Sequence, residues 1–401
     1  MRPGAPTLLL ILLFAGCAAP AADEPAPGPA VVERVLVDAG APGGEPMLAL
    51  APDGTLYLQA VSSRPNGAPE SAAWRSDDGG ATWHALPIPE GAAGSSYDGA
   101  VAVGPEGEVY LANAENARLR IWRSVDSGGT WEELAVPAVA PAHRMWLVPS
   151  AGRLDVGVDT LGGPNFHFAL DARALTPVAP NYDVGGSLAR RDDGLMLWPR
   201  HEAAPFDRFV AYRSRDDGGT WTSAAMTPAA PPETFPLGEA RRTSIWTPMV
   251  FGADGTAYHA RSEMGALLLS RSLDDGLTWS PEVALTREDE FAVLPWMSPA
   301  LDVVAVVRNG TAWEPLALRV EWPREAHAPA LLRATLPGAL HEGPLCTFGQ
   351  ACDPAERPLG DYSAVLTLPT GDVVAAFGSS KDAPAYRSAP VVYRIPGAAF
   401  M

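Results

Sequence analysis

The chain has 401 residues, 47% of them hydrophobic, with 39 glycines and 41 prolines, so it can bury a large core and is rich in turns. The formal net charge is −18 with no basic block anywhere, which argues against a nucleic-acid partner because phosphate binding needs clustered Lys and Arg. The acidic excess suits a soluble monomer.

At the N-terminus Arg2 precedes an apolar run, Leu8 to Phe14, too short to span a bilayer as a mature helix. Ala15-Gly16-Cys17 follows. Small residues ahead of a cysteine after such a run resemble a bacterial lipoprotein signal, with Phe14 standing where Leu is usual. The resemblance implies cleavage before Cys17 and lipidation of that residue; an ordinary secretory signal with an incidental cysteine is the alternative. Residues 1–16 then form the signal peptide, 17–30 an Ala/Pro-rich tether, and 31–401 the folded domain. Lipid would anchor the chain to the membrane without spanning it. Ala18, in place of the Asp linked to inner-membrane retention, points to the outer membrane. With Cys17 lipidated, Cys346 and Cys352 remain, in CTFGQAC. In an exported chain their simplest use is a disulfide closing a small loop. The alternatives are two free thiols, or a metal site that has only His341 nearby and no CxxC.

The domain itself contains a repeat. SDDGGATW (Ser76 to Trp83), SVDSGGTW (Ser124 to Trp131), SRDDGGTW (Ser214 to Trp221) and SLDDGLTW (Ser272 to Trp279) share Ser-x-Asp-x-Gly-x-Thr-Trp. Asp at the third position can cap turn N–H groups, Gly at the fifth permits positive φ, and Thr-Trp can begin a strand. The pattern resembles the Asp-box, or bacterial neuraminidase repeat, of sialidase-like β-propellers. Asp78, Asp126, Asp216 and Asp274 read as structural, since one catalytic centre cannot use a carboxylate repeated around a ring, and they lack a calcium ligand loop.

The boxes start at 76, 124, 214 and 272, and the gap of 90 between the second and third has room for two units. A second element tests this: a Gly turn before an alternating strand recurs at Gly54, Gly107, Gly194, Gly255 and Gly371. Degenerate copies stand at Gly152 and at Leu301, which replaces the glycine. The count is seven units of four short strands, joined by DG-type turns and boxes. The expected fold is all-β: a seven-bladed β-propeller of four-stranded antiparallel blades, with six blades, as in sialidases, the alternative. The last unit stops one strand short, and VVERVLVD (Val31 to Asp38) has no other use, so the N-terminal strand is expected to close the ring.

In propellers of this resemblance, ligands bind on the face where inner strands start and second strands end. Residues six and eight past the turn glycine fall there and point the same way. They are Arg200 and Glu202 in the fourth unit, Arg261 and Glu263 in the fifth; Arg308 lies one position later in the sixth. They form either a binding site or a blade-to-blade ion-pair network. Inner-strand starts add Tyr97-Asp98, Tyr182-Asp183 and Asp361-Tyr362, and Trp146, Trp246 and Trp296 lie near others. The ligand-binding candidates are therefore Arg200, Glu202, Arg261, Glu263, Asp98, Asp183 and Asp361.

The resemblance to sialidases implies three arginines on a substrate carboxylate, a Tyr nucleophile with a Glu, and an acid/base Asp. Arg200, Arg261, Arg308, Tyr362, Asp98, Glu202 and Glu263 are the catalytic candidates. The family's first-blade arginine is missing from GGEPMLAL, and Tyr393-Arg394-Ile395-Pro396 carries the family string at the opposite end. Aligned with SAAWRSDDGG, that arginine matches Arg75, the repeat's own third-strand arginine. No HExxH, GxxxxGK[ST] or GxSxG occurs, and neither cofactor nor metal is expected. The expectation is a lipid-anchored propeller binding a glycan or protein at its channel face, with a sialidase-like exo-glycosidase and a non-catalytic scaffold as rivals.

Overall fold

The computed structural model describes residues 30–63, 69–89, 96–115, 118–139, 141–160, 163–170, 174–179, 185–201, 209–227, 246–347, 357–384 and 387–401. Alternating apolar runs punctuated by turn residues form strands, and the strands form seven antiparallel four-stranded blades. The first four blades begin with Gly44–Leu50, Ser96–Val103, Ala142–Ser150 and the short pieces Gly185–Gly186 and Ala189–Arg190. The last three begin with Trp246–Thr247 and Met249–Phe251, Ala292–Met297, and Ala364–Thr367. The expected unit count is the observed one, and the degenerate third and sixth units are full blades. Among the described residues the only helix is a single 3-10 turn, Gly397–Ala399, and no helix is long and apolar enough to cross a membrane.

The turn between first and second strands has one geometry in six blades, while blade 3 pairs Ser150 directly with Arg153. In blade 1, Ala51 N–H donates to Thr55 O at 2.8 Å and Gly54 N–H to Ala51 O at 3.0 Å, with Gly54 at φ 92°. In blade 6, Leu301 takes the glycine's place at φ 65° and donates to Ser298 O at 2.9 Å. A left-handed Leu costs roughly 1–2 kcal/mol. Its side chain offsets this by packing in the core between blades 5 and 6.

The repeated Ser-x-Asp-x-Gly-x-Thr-Trp turns are closed by their own side chains. Ser124 Oγ accepts Gly128 N–H at 2.8 Å and donates to Asp126 Oδ1 at 2.7 Å. Asp126 also accepts Thr130 N–H at 2.8 Å and the Thr130 hydroxyl at 2.7 Å. The Thr130 N–H first, then the two hydroxyls, hold this carboxyl down at about 2. Asp78, Asp216 and Asp274 make the same bonds. Cys346 is disulfide-bonded, whereas Cys17 and Cys352 lie outside the described residues.

The N-terminal strand Glu33–Leu36 forms the outer strand of blade 7. It pairs antiparallel with Ala389–Ile395, placing Glu33 opposite Arg394 and Leu36 opposite Val391. Arg394 pairs with Glu33 and donates from Nε to Gly79 O at 3.0 Å, in the repeated turn of blade 1. The arginine of the Tyr-Arg-Ile-Pro string therefore serves the seam where the ring closes.

Candidate functional site

Inner strands of four blades carry a β-bulge near their start: between Gly44 and Met47, Ser96 and Gly99, Ala142 and Met145, and Val293 and Trp296. A bulge breaks the two-residue alternation and re-aims a side chain. Three of them carry charged residues that come together, Glu45, Asp98 and His143-Arg144. Glu45 sits at φ 51°, and a Cβ on Gly360 would come within 2.6 Å of its Cγ, so the backbone before Asp361 leaves room for it.

Arg144 is the hub and is fully buried. It donates to Gly99 O at 3.0 Å, and its Nη1 lies 3.6 Å from Asp98 Oδ1. Its guanidinium lies 4.2 Å from the ring centre of Tyr362 and 4.7 Å from that of Trp146. Burial opposes the Arg144 charge, but Tyr362, Asp98, Glu45 and Asp159 together raise its pKa above the ordinary value. Arg357 binds Asp361, with Nε to Oδ1 at 3.1 Å, and reaches Glu45 Oε1 at 3.5 Å. His143 Nε2 lies 3.5 Å from Asp98 Oδ2.

Glu45 stands out chemically. Burial first, then the negative Asp361 and Asp98, push its carboxyl well above the ordinary carboxylate range, against the pull of Arg357 and Arg144. Its Oε2 is buried without a hydrogen-bond partner, as is the Tyr362 hydroxyl. Burial likewise pushes the Tyr362 phenol well up, so it stays protonated. The most exposed members are Arg357 and His143, whose side chains keep 23% and 19% of their accessibility and form the approach. The arrangement offers an acid with a raised pKa beside two further acids and two fixed guanidiniums, a set suited to hydroxyl-rich or anionic groups.

Beside this cluster the channel is filled by rings. Trp146 stacks on Trp296 at 5.7 Å, meets Trp246 edge-on at 5.8 Å, and Trp296 meets Tyr362 at 5.3 Å. Trp146 donates to Asp159 Oδ2 at 3.1 Å.

The arginines singled out by repeat register are engaged separately. Arg200, fully buried, pairs with Asp159 at 2.6 Å and lies over Trp198 at 3.7 Å. Burial lowers its pKa to about 10, which leaves it charged at neutral pH. Arg261 pairs with Glu263 at 2.5 Å and with Glu282 at 2.6 Å. Arg308 is exposed and donates to Gly310 O at 3.1 Å. The convergence of Arg200, Arg261 and Arg308 on one carboxylate does not form, because the two buried guanidiniums have acidic neighbours of their own. Asp98, Asp361 and Tyr362 do join the central cluster, while Glu202 and Asp183 lie outside the described residues. Register reasoning missed Glu45, Arg144, Arg357 and His143. The signal for three of them was a charged residue at an inner-strand start, GGEP and AHRM, where apolar residues should alternate. Among the described residues no cluster of three or more His, Cys, Asp or Glu side chains could hold a metal ion.

No protein-family model matches the chain, and no curated protein matches it. Solved structures do. A protein of unknown function from Dyadobacter fermentans superposes with a TM-score of 0.51 at 14% identity, covering 91% of this chain and 99% of that one. An alpha-L-arabinanase from Penicillium chrysogenum, complexed with arabinobiose, gives 0.50 at 13% identity, covering 92% and 100%. The NanB sialidase from Streptococcus pneumoniae gives 0.47 at 11% identity, covering 94% and 72%. At these identities the likeness is one of fold alone: the chain is a β-propeller.

Proposed function

We propose that the protein is an exported, lipid-anchored β-propeller that binds a carbohydrate at the channel face, through the cluster of Glu45, Asp98, Arg144, Arg357 and Asp361. The observation that carries this reading is Glu45. It is a carboxyl that burial pushes well above the ordinary carboxylate range, in a left-handed backbone, with an unpartnered oxygen among acids and fixed guanidiniums. Such an arrangement costs stability as pH rises and fits a site built for a ligand. The four repeated turns are Asp boxes of the sialidase-like kind, and they hold blades rather than ligand. A second reading, exo-glycoside hydrolysis, is favoured by the same residue. A carboxyl with a raised pKa beside other carboxyls is the pairing that general acid catalysis of glycoside cleavage uses.

Glu45→Gln separates these roles. The folded-state pKa of Glu45 lies above its unfolded value, so its contribution to stability is intact below the unfolded pKa and is lost as pH rises through the folded one. Glu45→Gln should therefore raise the thermal midpoint at pH 8 and leave it nearly unchanged at pH 4. On a glycan array, Glu45→Gln and Arg357→Ala should each weaken binding by at least about tenfold, the loss of one charge-assisted hydrogen bond. Turnover of fluorogenic glycosides by the wild type, abolished in Glu45→Gln, would establish the hydrolase reading. Neither binding nor turnover across both panels would overturn the carbohydrate assignment and leave a protein scaffold. The anchor has its own test: palmitate labelling in a bacterial host should be lost completely in Cys17→Ser, and labelling that persists would sink the lipoprotein assignment.

A further inference from the structure

Outside the channel cluster, a histidine of blade 6 holds a serine of blade 7. The short strand His341–Glu342 adds to the third strand of blade 6, Ala312–Glu321, with His341 opposite Trp313. The turn that follows is pinned. Gly343 N–H donates to Thr311 O at 2.9 Å, and the Trp313 indole N–H donates to Gly343 O at 2.9 Å. Gly343 sits at φ 107°, a backbone that favours glycine. Ser380 follows the second strand of blade 7, Val373–Ser379, and its N–H donates to Leu340 O at 3.0 Å. His341 and Ser380 are both half-buried. Second strands end on the face of the channel cluster, as Asp159 does beside Trp146, so the pair stands on that face at the junction of blades 6 and 7.

The bonding fixes the roles of the two ring nitrogens. His341 Nε2 lies 3.0 Å from Pro344 O, and a carbonyl only accepts, so Nε2 carries the proton. Nδ1 is then bare, and Ser380 Oγ donates to it at 2.8 Å. The other acceptor for this hydroxyl, Leu340 O, is farther away at 3.4 Å. Burial lowers the His341 pKa, against the bond to Pro344 O and the charge of Glu342, so the ring is neutral at neutral pH and open to a proton. Leu340 O takes Ser380 N–H at 3.0 Å and leaves Lys381 N–H a long contact of 3.4 Å. The N–H of the residue after the serine is therefore the weakly held one, and can turn to an oxyanion.

We propose that Ser380 is a nucleophile activated by His341, and that the pair hydrolyses a carboxylic ester. Ser380 Oγ attacks the ester carbonyl carbon and its proton passes to His341 Nδ1, while Nε2–H stays on Pro344 O. Lys381 N–H meets the oxyanion. Collapse breaks the bond to the alkoxy oxygen, which takes the proton from Nδ1 and leaves as the alcohol. A water then gives a proton to Nδ1 as its oxygen attacks the acyl-serine. That proton returns to Ser380 Oγ as the carboxylic acid departs. Pro344 O orients the ring but carries no charge to stabilise the imidazolium, so an ester fits better than the less reactive amide. None of these residues belongs to the channel cluster, and the inference is independent of the carbohydrate reading.

The test combines p-nitrophenyl acetate hydrolysis by the full chain with a fluorophosphonate probe located by peptide mass mapping. The wild type should turn over the ester, and the probe should label Ser380. Ser380→Ala and His341→Phe should each lower turnover by about a hundredfold or more, the usual worth of a general base and the group it serves. His341→Phe should also abolish labelling at Ser380, which a merely structural pair would not predict. A wild-type chain that the probe leaves unlabelled at Ser380, or turnover that persists in Ser380→Ala with the fold intact by circular dichroism, would overturn the proposal.

Discussion

Replacing Arg144 with methionine should lower the unfolding free energy by about 3–5 kcal/mol, the range for removing one partner from a buried charge network. Arg144 has no solvent exposure, donates to Gly99 O, faces Asp98 and lies over the rings of Tyr362 and Trp146. Methionine keeps much of the volume and the contact with the rings, so the loss reports charge. Asp98 and Asp361 then face Glu45 with Arg357 as the remaining guanidinium. Glu45 loses the pull of Arg144 and its raised carboxyl pKa rises further; an acid with a raised folded pKa loses stability as pH rises, so the deficit should be largest at pH 8 and shrink towards pH 4. Adding Asp98→Asn should recover part of the loss. Urea unfolding across that pH range measures both effects. A deficit below about 1 kcal/mol would mean that Arg144 is not the hub.

The second large effect is at the ring seam. A chain beginning at Ala39 lacks the strand Glu33–Leu36, its register with Val391–Arg394, and the bond from Val37 N–H to Pro390 O at 3.0 Å. It also lacks Arg34, whose Nε donates to the Tyr393 hydroxyl at 3.1 Å. At about 1 kcal/mol for each of four or so hydrogen bonds, the loss is about 4 kcal/mol. In a domain of this size that shifts the thermal midpoint by about 5 °C. The bared edge of Ala389–Ile395 should drive self-association, visible by size-exclusion chromatography. A peptide spanning residues 31–38, added in trans, should restore the midpoint by completing the sheet. A truncated chain that melts like the full one would show that the ring does not depend on this strand.

Both effects bear on how much could be read before the fold was seen. Blade number and closure were legible because they rest on local devices. Ser124, Asp126, Gly128 and Thr130 bond within eight residues, and such a turn leaves the same letters wherever it recurs. Leu301 in a glycine's position still betrayed a blade, since the strands on either side kept their alternation. The tail string Tyr-Arg-Ile-Pro could be recognised as a third strand for the same reason. Its arginine bonds Gly79 because every third-strand arginine of the repeat points towards that face.

The site followed different physics. Arg144 meets Gly99 O across 45 residues and Met47 across 97, and Arg357 reaches Glu45 from the far end of the chain. No spacing in the chain encodes such distances, because the ring brings inner strands together regardless of sequence separation. Bulges then break the alternation that register arguments assume, and they aim Glu45, Asp98 and Arg144 at the channel. The same limit explains Arg200 and Arg261. Their register was clear, but their acidic partners lie elsewhere, Asp159 on a neighbouring blade and Glu282 beyond a repeated turn. The amino-acid sequence alone determined the repeat, the seven blades and the strand that closes them, since each is written in contacts between near neighbours. Only the tertiary structure decided which charges share the channel, since burial and cross-blade pairing choose among side chains that look equivalent along the chain.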